Sequence, residues 1–385
     1  MRNNWLAYGK QSISQADISA VVDVLRSDWL TQGPVIPEFE KRLATICGAK
    51  HAIAFSSGTA ALHAAYYAAG IGPGDEIVTT AMTFAATANA ALYLGARPKF
   101  ADIDLATGLI DPSSVIQLLN SKTKAIVGVD YAGHPCDIAQ LKEMANGAEI
   151  SFIVDGAHSL GGTYKEQPVG SLADMTTFSF HPVKTITTGE GGMVVTNSAD
   201  LCHKLKLFRT HGIEKDPAYL TDNEGPWYHE MQFLGYNYRL TDIQAALGLS
   251  QLNRIAEFID RRRQIAASYR QHLKHSQLFK CLEEKPFVKS AYHLFPVLIN
   301  KDILERKLAI QYLHKENIGV QVLYIPAYRH PYYRQYVNGE EWIKKCPATE
   351  EFYSRVFTLP IFPAMSDEDV ASVLAALVKL ESQYI

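Results

Sequence analysis

Phe178-Ser179-Phe180-His181-Pro182-Val183-Lys184-Thr185-Ile186-Thr187-Thr188-Gly189-Glu190-Gly191-Gly192 is the stretch of this 385-residue chain on which its reading turns. A strand-like run, Met175 to Phe180, leads into it, and a second apolar run, Met193 to Thr196, follows its glycine-rich turn. One amine, Lys184, and one hydroxyl, Ser179, thus sit close together just past a strand end. An amine held there can condense with a bound aldehyde while the hydroxyl meets an anionic group of the same ligand. A loop lysine is ordinarily a solvated surface group, and Lys184 taken alone reads that way. The rest of the chain overturns that reading.

Outward from this stretch, apolar runs of strand length alternate with helical stretches. His51 to Phe55, Glu76 to Thr80, Lys99 to Asp102, Ala125 to Asp130 and Phe152 to Asp155 read as strands; Thr59 to Ala69, Ala85 to Leu94 and Ile138 to Ala145 read as helices. Such alternation predicts an α/β fold with a mostly parallel sheet covered on both faces. The pattern changes near Leu240. Leu240 to Phe258 reads as one long helix, continued by Asp260 to Leu273 after a bend. Then come a strand (His293 to Ile299), a helix (Leu304 to Glu316), a strand (Val320 to Tyr324) and a terminal helix (Asp367 to Gln383). Tyr328 to Cys346 lacks periodicity and reads as a loop. The expected division is a large ligand-binding domain, residues 1–250, and a smaller C-terminal α+β domain, residues 251–385.

Bulk properties narrow the function classes. Hydrophobic residues make up 47% and charged residues 20% of the chain, as in ordinary globular proteins. A net charge of -3 gives no basic footprint for nucleic acid. No apolar run reaches the length of a membrane span, and Met1-Arg2-Asn3-Asn4-Trp5 does not lead into an apolar signal core. Cys47, Cys136, Cys202, Cys281 and Cys346 form no C-x-x-C pair, so no metal site is expected and reduced thiols in a cytoplasmic protein are. Lys206, Arg261, Arg262 and Arg263 read as a solvated helix face.

Three further segments carry chemistry. Ser56-Ser57-Gly58-Thr59-Ala60-Ala61-Leu62 joins a strand to a helix, so Ser57, Gly58 and Thr59 lie at a helix N-terminus, which attracts phosphate. Ser and Thr are also ordinary N-caps. Phe152-Ile153-Val154-Asp155-Gly156-Ala157-His158 puts an acid at the carboxyl end of an apolar strand, where open α/β sheets bind ligands. Asp155 there can pair with a protonated pyridine nitrogen and His158 with a ring hydroxyl. Their plainer readings are a capping carboxylate and a core histidine. In Met82-Thr83-Phe84-Ala85-Ala86-Thr87, Phe84 follows a strand and can stack on a planar ring, although core packing is the commoner fate of an aromatic. The order of phosphate loop, acid and lysine is compatible with one site. Neither G-x-G-x-x-G nor a Walker-type loop is present at the first strand.

These segments, with Thr188-Gly189-Glu190-Gly191-Gly192 and Gly235-Tyr236-Asn237-Tyr238-Arg239-Leu240-Thr241-Asp242-Ile243-Gln244-Ala245-Ala246-Leu247-Gly248, resemble the DegT/DnrJ/EryC1/StrS family of nucleotide-sugar aminotransferases over nearly the whole chain. The resemblance implies the aspartate aminotransferase fold (fold type I), pyridoxal 5′-phosphate (PLP) as cofactor, Lys184 as its Schiff-base residue and a homodimer. It implies that Asn237 crosses the dimer interface to the neighbour's cofactor phosphate; from the residues alone Asn237 is only a polar group ahead of a helix. Lys184 sets the chain apart from family dehydratases that carry histidine at that position. Ile318 to Tyr333 is similar to the subgroup of pseudaminic acid biosynthesis, which implies a UDP-linked 4-keto-6-deoxy-N-acetylhexosamine substrate and L-glutamate as donor. Leu323 departs from that subgroup, which has a histidine there. Arg209, Arg239, Arg329 and His330 are candidates to meet the nucleotide diphosphate, and Tyr324 to line the sugar pocket. The alternatives are a dTDP- or GDP-sugar aminotransferase and a non-catalytic PLP-binding regulator.

Overall fold

The computed structural model describes residues 4–385; Met1, Arg2 and Asn3 of the N-terminal run lie outside the described residues. The alternating apolar runs become a seven-stranded sheet of β1 (His51–Phe55), β2 (Glu76–Thr80), β3 (Arg97–Ala101), β4 (Thr123–Val129), β5 (Ser151–Asp155), β6 (Met175–Ser179) and β7 (Gly192–Thr196). Its order is β1-β7-β6-β5-β4-β2-β3. Pairing from β3 across to β6 is parallel. β7 runs antiparallel between β6 and β1.

The helices that frame this sheet and follow it are α1 (Gln15–Leu25), α2 (Val35–Ile46), α3 (Gly58–Ala68), α4 (Ala85–Tyr93), α5 (Ile138–Gly147), α6 (Ala199–Arg209), α7 (Asp242–Leu252), α8 (Ile255–Leu273), α9 (Arg306–Lys315) and α10 (Asp367–Glu381). Side chains alternate across a strand, and both faces of the sheet are buried. Ile53, Ile77, Val127, Ile153 and Val194 pack with α3, α4 and α6. Their neighbours Ala54, Met193 and Val195 meet α2, and Val78, Ile126, Phe152 and Val154 meet α5. That is why these strands read as continuous apolar runs.

A second sheet, β8 (Phe279–Cys281), β9 (Phe295–Ile299) and β10 (Val356–Leu359), is antiparallel in the order β8-β9-β10. Val297 and Ile299 of β9 share a core with Tyr269 of α8, Leu313 of α9 and Leu377 of α10, and Leu6 from the N-terminal segment enters the same core. A mostly parallel sheet with helices on both faces, joined to this small α+β unit, is the expected fold class. No helix among the described residues is long and apolar enough to cross a membrane.

Four expectations need correction. The long helix from Leu240 breaks at Asn253 and Arg254, between α7 and α8, not near Asp260. Its apolar spacing runs through the break because Leu252 and Phe258 pack into the same core cluster. Val320 to Tyr324 is not a strand; a single bridge joins Gln321 to Thr358. Tyr328 to Cys346 is not a plain loop, since it holds the helices Pro331–Tyr336 and Gly339–Lys345. Tyr328, Tyr333 and Trp342 meet Phe100 edge-on, and this tertiary packing supplies the order that periodicity did not signal. Arg262 is not on a solvated face: it is 1% exposed, and its Nη1 donates to the carbonyls of Tyr292, His293 and Ile361.

Phe39 of α2 is fully buried, and its ring lies 5.3 Å from that of Phe180, just past β6. Phe39→Ala is expected to cost about 3–5 kcal/mol by leaving a cavity there, read as a lower midpoint of urea unfolding. A change below about 0.5 kcal/mol, the scale of surface substitutions, would show that this contact is not part of the core.

Candidate active site

The carboxyl ends of β1, β2, β4, β5 and β6 converge on one edge of the sheet, and a cavity of about 420 Å³ opens there. That size suits a small ligand, and the position is the one open parallel sheets use for binding. Ser57, Gly58 and Thr59 line it at one place, Asp155 and His158 at another, and Ser179 and Lys184 at a third; Phe84 and Tyr324 complete the set.

The turn from β1 into α3 is built for an anion. Ser57 is extended (φ -162°, ψ 164°) and its Oγ accepts from the Ala60 amide at 3.1 Å. The Gly58 and Thr59 amides have no protein acceptor among the described residues, and the helix dipole adds positive potential at this end. Gly58 lies against Ser179: a Cβ at 58 would fall 2.9 Å from the Ser179 Cβ and 3.2 Å from its Oγ. Only glycine lets the hydroxyl and the helix end come this close.

Asp155 ends β5 and is buried. Thr87 donates to its Oδ2 at 2.6 Å and the Ala157 amide to its Oδ1 at 3.2 Å. Burial pushes its pKa up, while these two hydrogen bonds and the Lys184 charge pull it back toward the ionised form. Thr87 itself bonds Thr83 at 2.7 Å. The i,i+4 threonine pair on the approach to α4 was the sequence signal for this support.

Lys184 sits in the loop between β6 and β7. The Phe180 carbonyl accepts from Thr187 Oγ1 at 3.0 Å and from the Thr188 amide at 3.1 Å, and the Phe180 amide donates to the Gly191 carbonyl at 2.9 Å. A rigid loop therefore presents the lysine to the cavity. Desolvation brings its amine down to about 8, against the upward pull of Asp155. His158 Nε2 lies 3.0 Å from the Tyr324 hydroxyl, and its buried Nδ1 has no partner among the described residues. Burial, helped by the Lys184 charge, holds His158 well below its usual pKa, so the ring is neutral. Phe84, 60% exposed, leaves an aromatic face open beside Tyr324, with ring centroids 5.8 Å apart. Anion cradle, carboxylate, amine, unpaired imidazole nitrogen and open aromatic face together fit a phosphorylated pyridine aldehyde.

The other sequence candidates do not line this cavity. Arg209 Nη1 bonds Glu40 at 2.5 Å and the Ala54 carbonyl at 2.9 Å. Arg329 pairs with Glu350. His330 precedes the Pro331–Tyr336 helix as its N-cap residue, and Arg239 is half-buried outside the lining. Asn237 is exposed between two anchored neighbours. Tyr236 and Tyr238 stack at 4.9 Å, and both rings pack on the buried His63. Tyr8 and His293, which sequence reasoning passed over, do line the cavity, as does Leu323. Neither Tyr8 nor His293 belongs to a local motif; each is delivered from a distant part of the chain.

Because its amine titrates near 8, Lys184 should react faster with a small aldehyde as pH rises to about 8 and then level off, since the neutral amine is the nucleophile. Borohydride trapping and peptide mapping across a pH series measure this. An inflection at the value of a solvated lysine, about 10.4, would show that the amine is not desolvated.

The DegT/DnrJ/EryC1/StrS aminotransferase family profile matches residues 11–378. The spore coat polysaccharide biosynthesis protein SpsC of Bacillus subtilis is 38% identical over 98% of this chain and 97% of its own. The UDP-4-amino-4,6-dideoxy-N-acetyl-beta-L-altrosamine transaminase of Campylobacter jejuni is 37% identical over 96% and 95%. Helicobacter pylori PseC, an aminotransferase involved in the biosynthesis of pseudoaminic acid, superimposes with a TM-score of 0.91 at 36% identity, covering 99% of this chain and 100% of that one. A proposed sugar aminotransferase of Streptococcus pneumoniae, solved in PLP and PMP forms, gives TM-scores of 0.90 and 0.91 at 31% identity, over 99% of this chain and 100% of that one. The chain belongs to the DegT/DnrJ/EryC1/StrS aminotransferase family.

Proposed function

We propose that this aminotransferase uses PLP to move an amino group from L-glutamate to C4 of a UDP-linked 4-keto-6-deoxy-N-acetylhexosamine, in pseudaminic acid biosynthesis. The observation that carries the reading is that Lys184, Asp155 and the N-terminus of α3 border one cavity. The sugar and pathway are supported by likeness to the Campylobacter and Helicobacter proteins over nearly their full lengths.

When bound, PLP supplies an aldehyde for amine exchange and a ring that accepts the electrons left on a deprotonated carbon. Ser57, Gly58, Thr59 and Ser179 hold its phosphate, through backbone amides and hydroxyls at a helix end. Asp155 keeps a proton on the ring nitrogen; a fixed carboxylate in a site shielded from water acts more strongly than one in solvent. His158 donates or accepts at the ring hydroxyl, and Phe84 covers one ring face. Lys184 Nζ, neutral above about pH 8, takes the proton from the donor Cα as a general base. In the second half of the cycle it delivers a proton to C4 of the keto sugar. Arg209 and Arg329 already hold carboxylates, which leaves Arg239 and His330, both outside the cavity lining, as the candidates to meet the diphosphate.

The active assembly is a homodimer in which Asn237 reaches the partner's phosphate site. The exposure of Asn237, and of the neighbouring Leu234 at 75% and Met231 at 64%, supports a covered face there.

The absorbance spectrum before and after adding L-glutamate tests the donor half-reaction, and a panel of matched UDP, dTDP and GDP keto sugars tests the acceptor. The visible band should be lost on adding glutamate, with turnover highest on the UDP sugar; preference for a dTDP sugar would end the pseudaminic assignment. Lys184→Ala should abolish both band and turnover, and full activity in that variant would remove the residue's assigned role. Asn237→Ala should weaken PLP retention by about ten-fold or more, the scale of a hydrogen bond to a charged group; unchanged retention would remove the cross-subunit contact.

A further inference from the structure

His158 and His293 lie ring on ring in the cavity wall, with centroids 4.4 Å apart and planes tilted by 41°. His293 is 4% exposed and its Nδ1, like that of His158, has no hydrogen-bond partner among the described residues. His158 is tethered by one side-chain hydrogen bond, from Nε2 to the Tyr324 hydroxyl. The Tyr324 ring also lies nearly parallel to the imidazole, with centroids 5.9 Å apart and planes at 19°. The tilted ring of His293 makes the closer of these two ring contacts and restricts the imidazole further.

His293 is itself held with unusual firmness. Arg262, buried in α8 and paired with no carboxylate among the described residues, donates from Nη1 to the His293 carbonyl at 3.2 Å, the Tyr292 carbonyl at 3.2 Å and the Ile361 carbonyl at 2.8 Å. A guanidinium buried without an acid is costly; here its Nη1 bonds the carbonyls of the bend that carries His293 and that of Ile361, while its Nε has no partner among the described residues. Tyr292, at that bend, is in the left-handed region (φ 47°). Both imidazoles are held well below their usual pKa, His158 by burial and then Lys184, His293 by burial and then His158 and Lys184, so the pair is one of neutral rings.

We infer that His293 is a positioning residue: seated by Arg262, its ring fixes the orientation of His158 toward the bound cofactor. The inference rests on His158 facing PLP and goes beyond that reading by giving a role to His293, which lines the cavity and acts through His158.

Titration of the apo-protein with PLP, followed by absorbance, tests it in the wild type, His293→Ala and His293→Phe, with the unfolding midpoint of each apo-protein measured alongside. His293→Ala should raise the Kd for PLP by about two- to ten-fold, the scale of one aromatic pair. His293→Phe, which keeps a ring in the stack, should recover most of that loss. Wild-type affinity in His293→Ala would overturn the inference. So would equal losses in both variants that follow a lowered unfolding midpoint, since His293 would then be core packing only. A wild-type chain that takes up no PLP would overturn the site reading and this inference with it.

Discussion

The site depends on how the loop from 180 to 191 closes on itself. Phe180 uses its amide toward Gly191 and its carbonyl toward Thr187 and Thr188, and its ring is locked against Phe39. These bonds are possible because β7 turns back antiparallel beside β6. A parallel continuation would need a long crossover and would carry the lysine away from the sheet edge. The reversal keeps Lys184 within reach of Asp155, on the neighbouring strand β5. The closed loop and the reversed strand are thus one constraint, and the chemistry inherits its rigidity from them.

Around that loop the charges are few and opposed. The ionisable pair is Lys184 and Asp155, each pushed toward neutrality by burial and back toward charge by the other. The imidazoles beside them stay neutral. A second acid, Asp130, lies just past β4, where its amide donates to the Asp155 carbonyl. Burial raises its pKa to about 6, while Ser159 Oγ, 2.5 Å away, and the Cys136 amide favour its charged form. It fixes the turn that carries His158 rather than facing the cavity. In a low-dielectric site the Asp155 carboxylate can keep a bound heterocycle protonated, although the Lys184 charge acts on the same carboxylate.

The sequence made strand-end chemistry legible and tertiary chemistry illegible. Asp155, Ser179 and the Ser57-Gly58-Thr59 turn could be read because each sits where an apolar run stops, and such stops in a parallel sheet share an edge. Lys184 could be read because it follows one of those stops at short range. Arg262 could not: its three acceptors are backbone carbonyls at 292, 293 and 361, and nothing in a helix pattern announces them. His293 and Tyr8 reach the cavity only when the C-terminal unit and the N-terminal segment have packed. The helices between Pro331 and Lys345 were hidden for a related reason, since their order comes from aromatic contacts with Phe100 on a distant strand. The exposed position of Asn237 had a meaning only through family resemblance.

The segment around Asn237 shows a different kind of constraint. Tyr236 and Tyr238 bury their rings against His63, which burial brings down to about 4, and so the intervening side chain has to face out. In extended chain, facing alternates residue by residue. Deleting or inserting one residue here would turn an amide into the aromatic cage and a tyrosine toward solvent, even if every remaining residue kept its identity. Between Phe233 and Leu240, then, the packing constrains spacing more tightly than chemistry: the count of residues carries the information, as the number of teeth does on a gear.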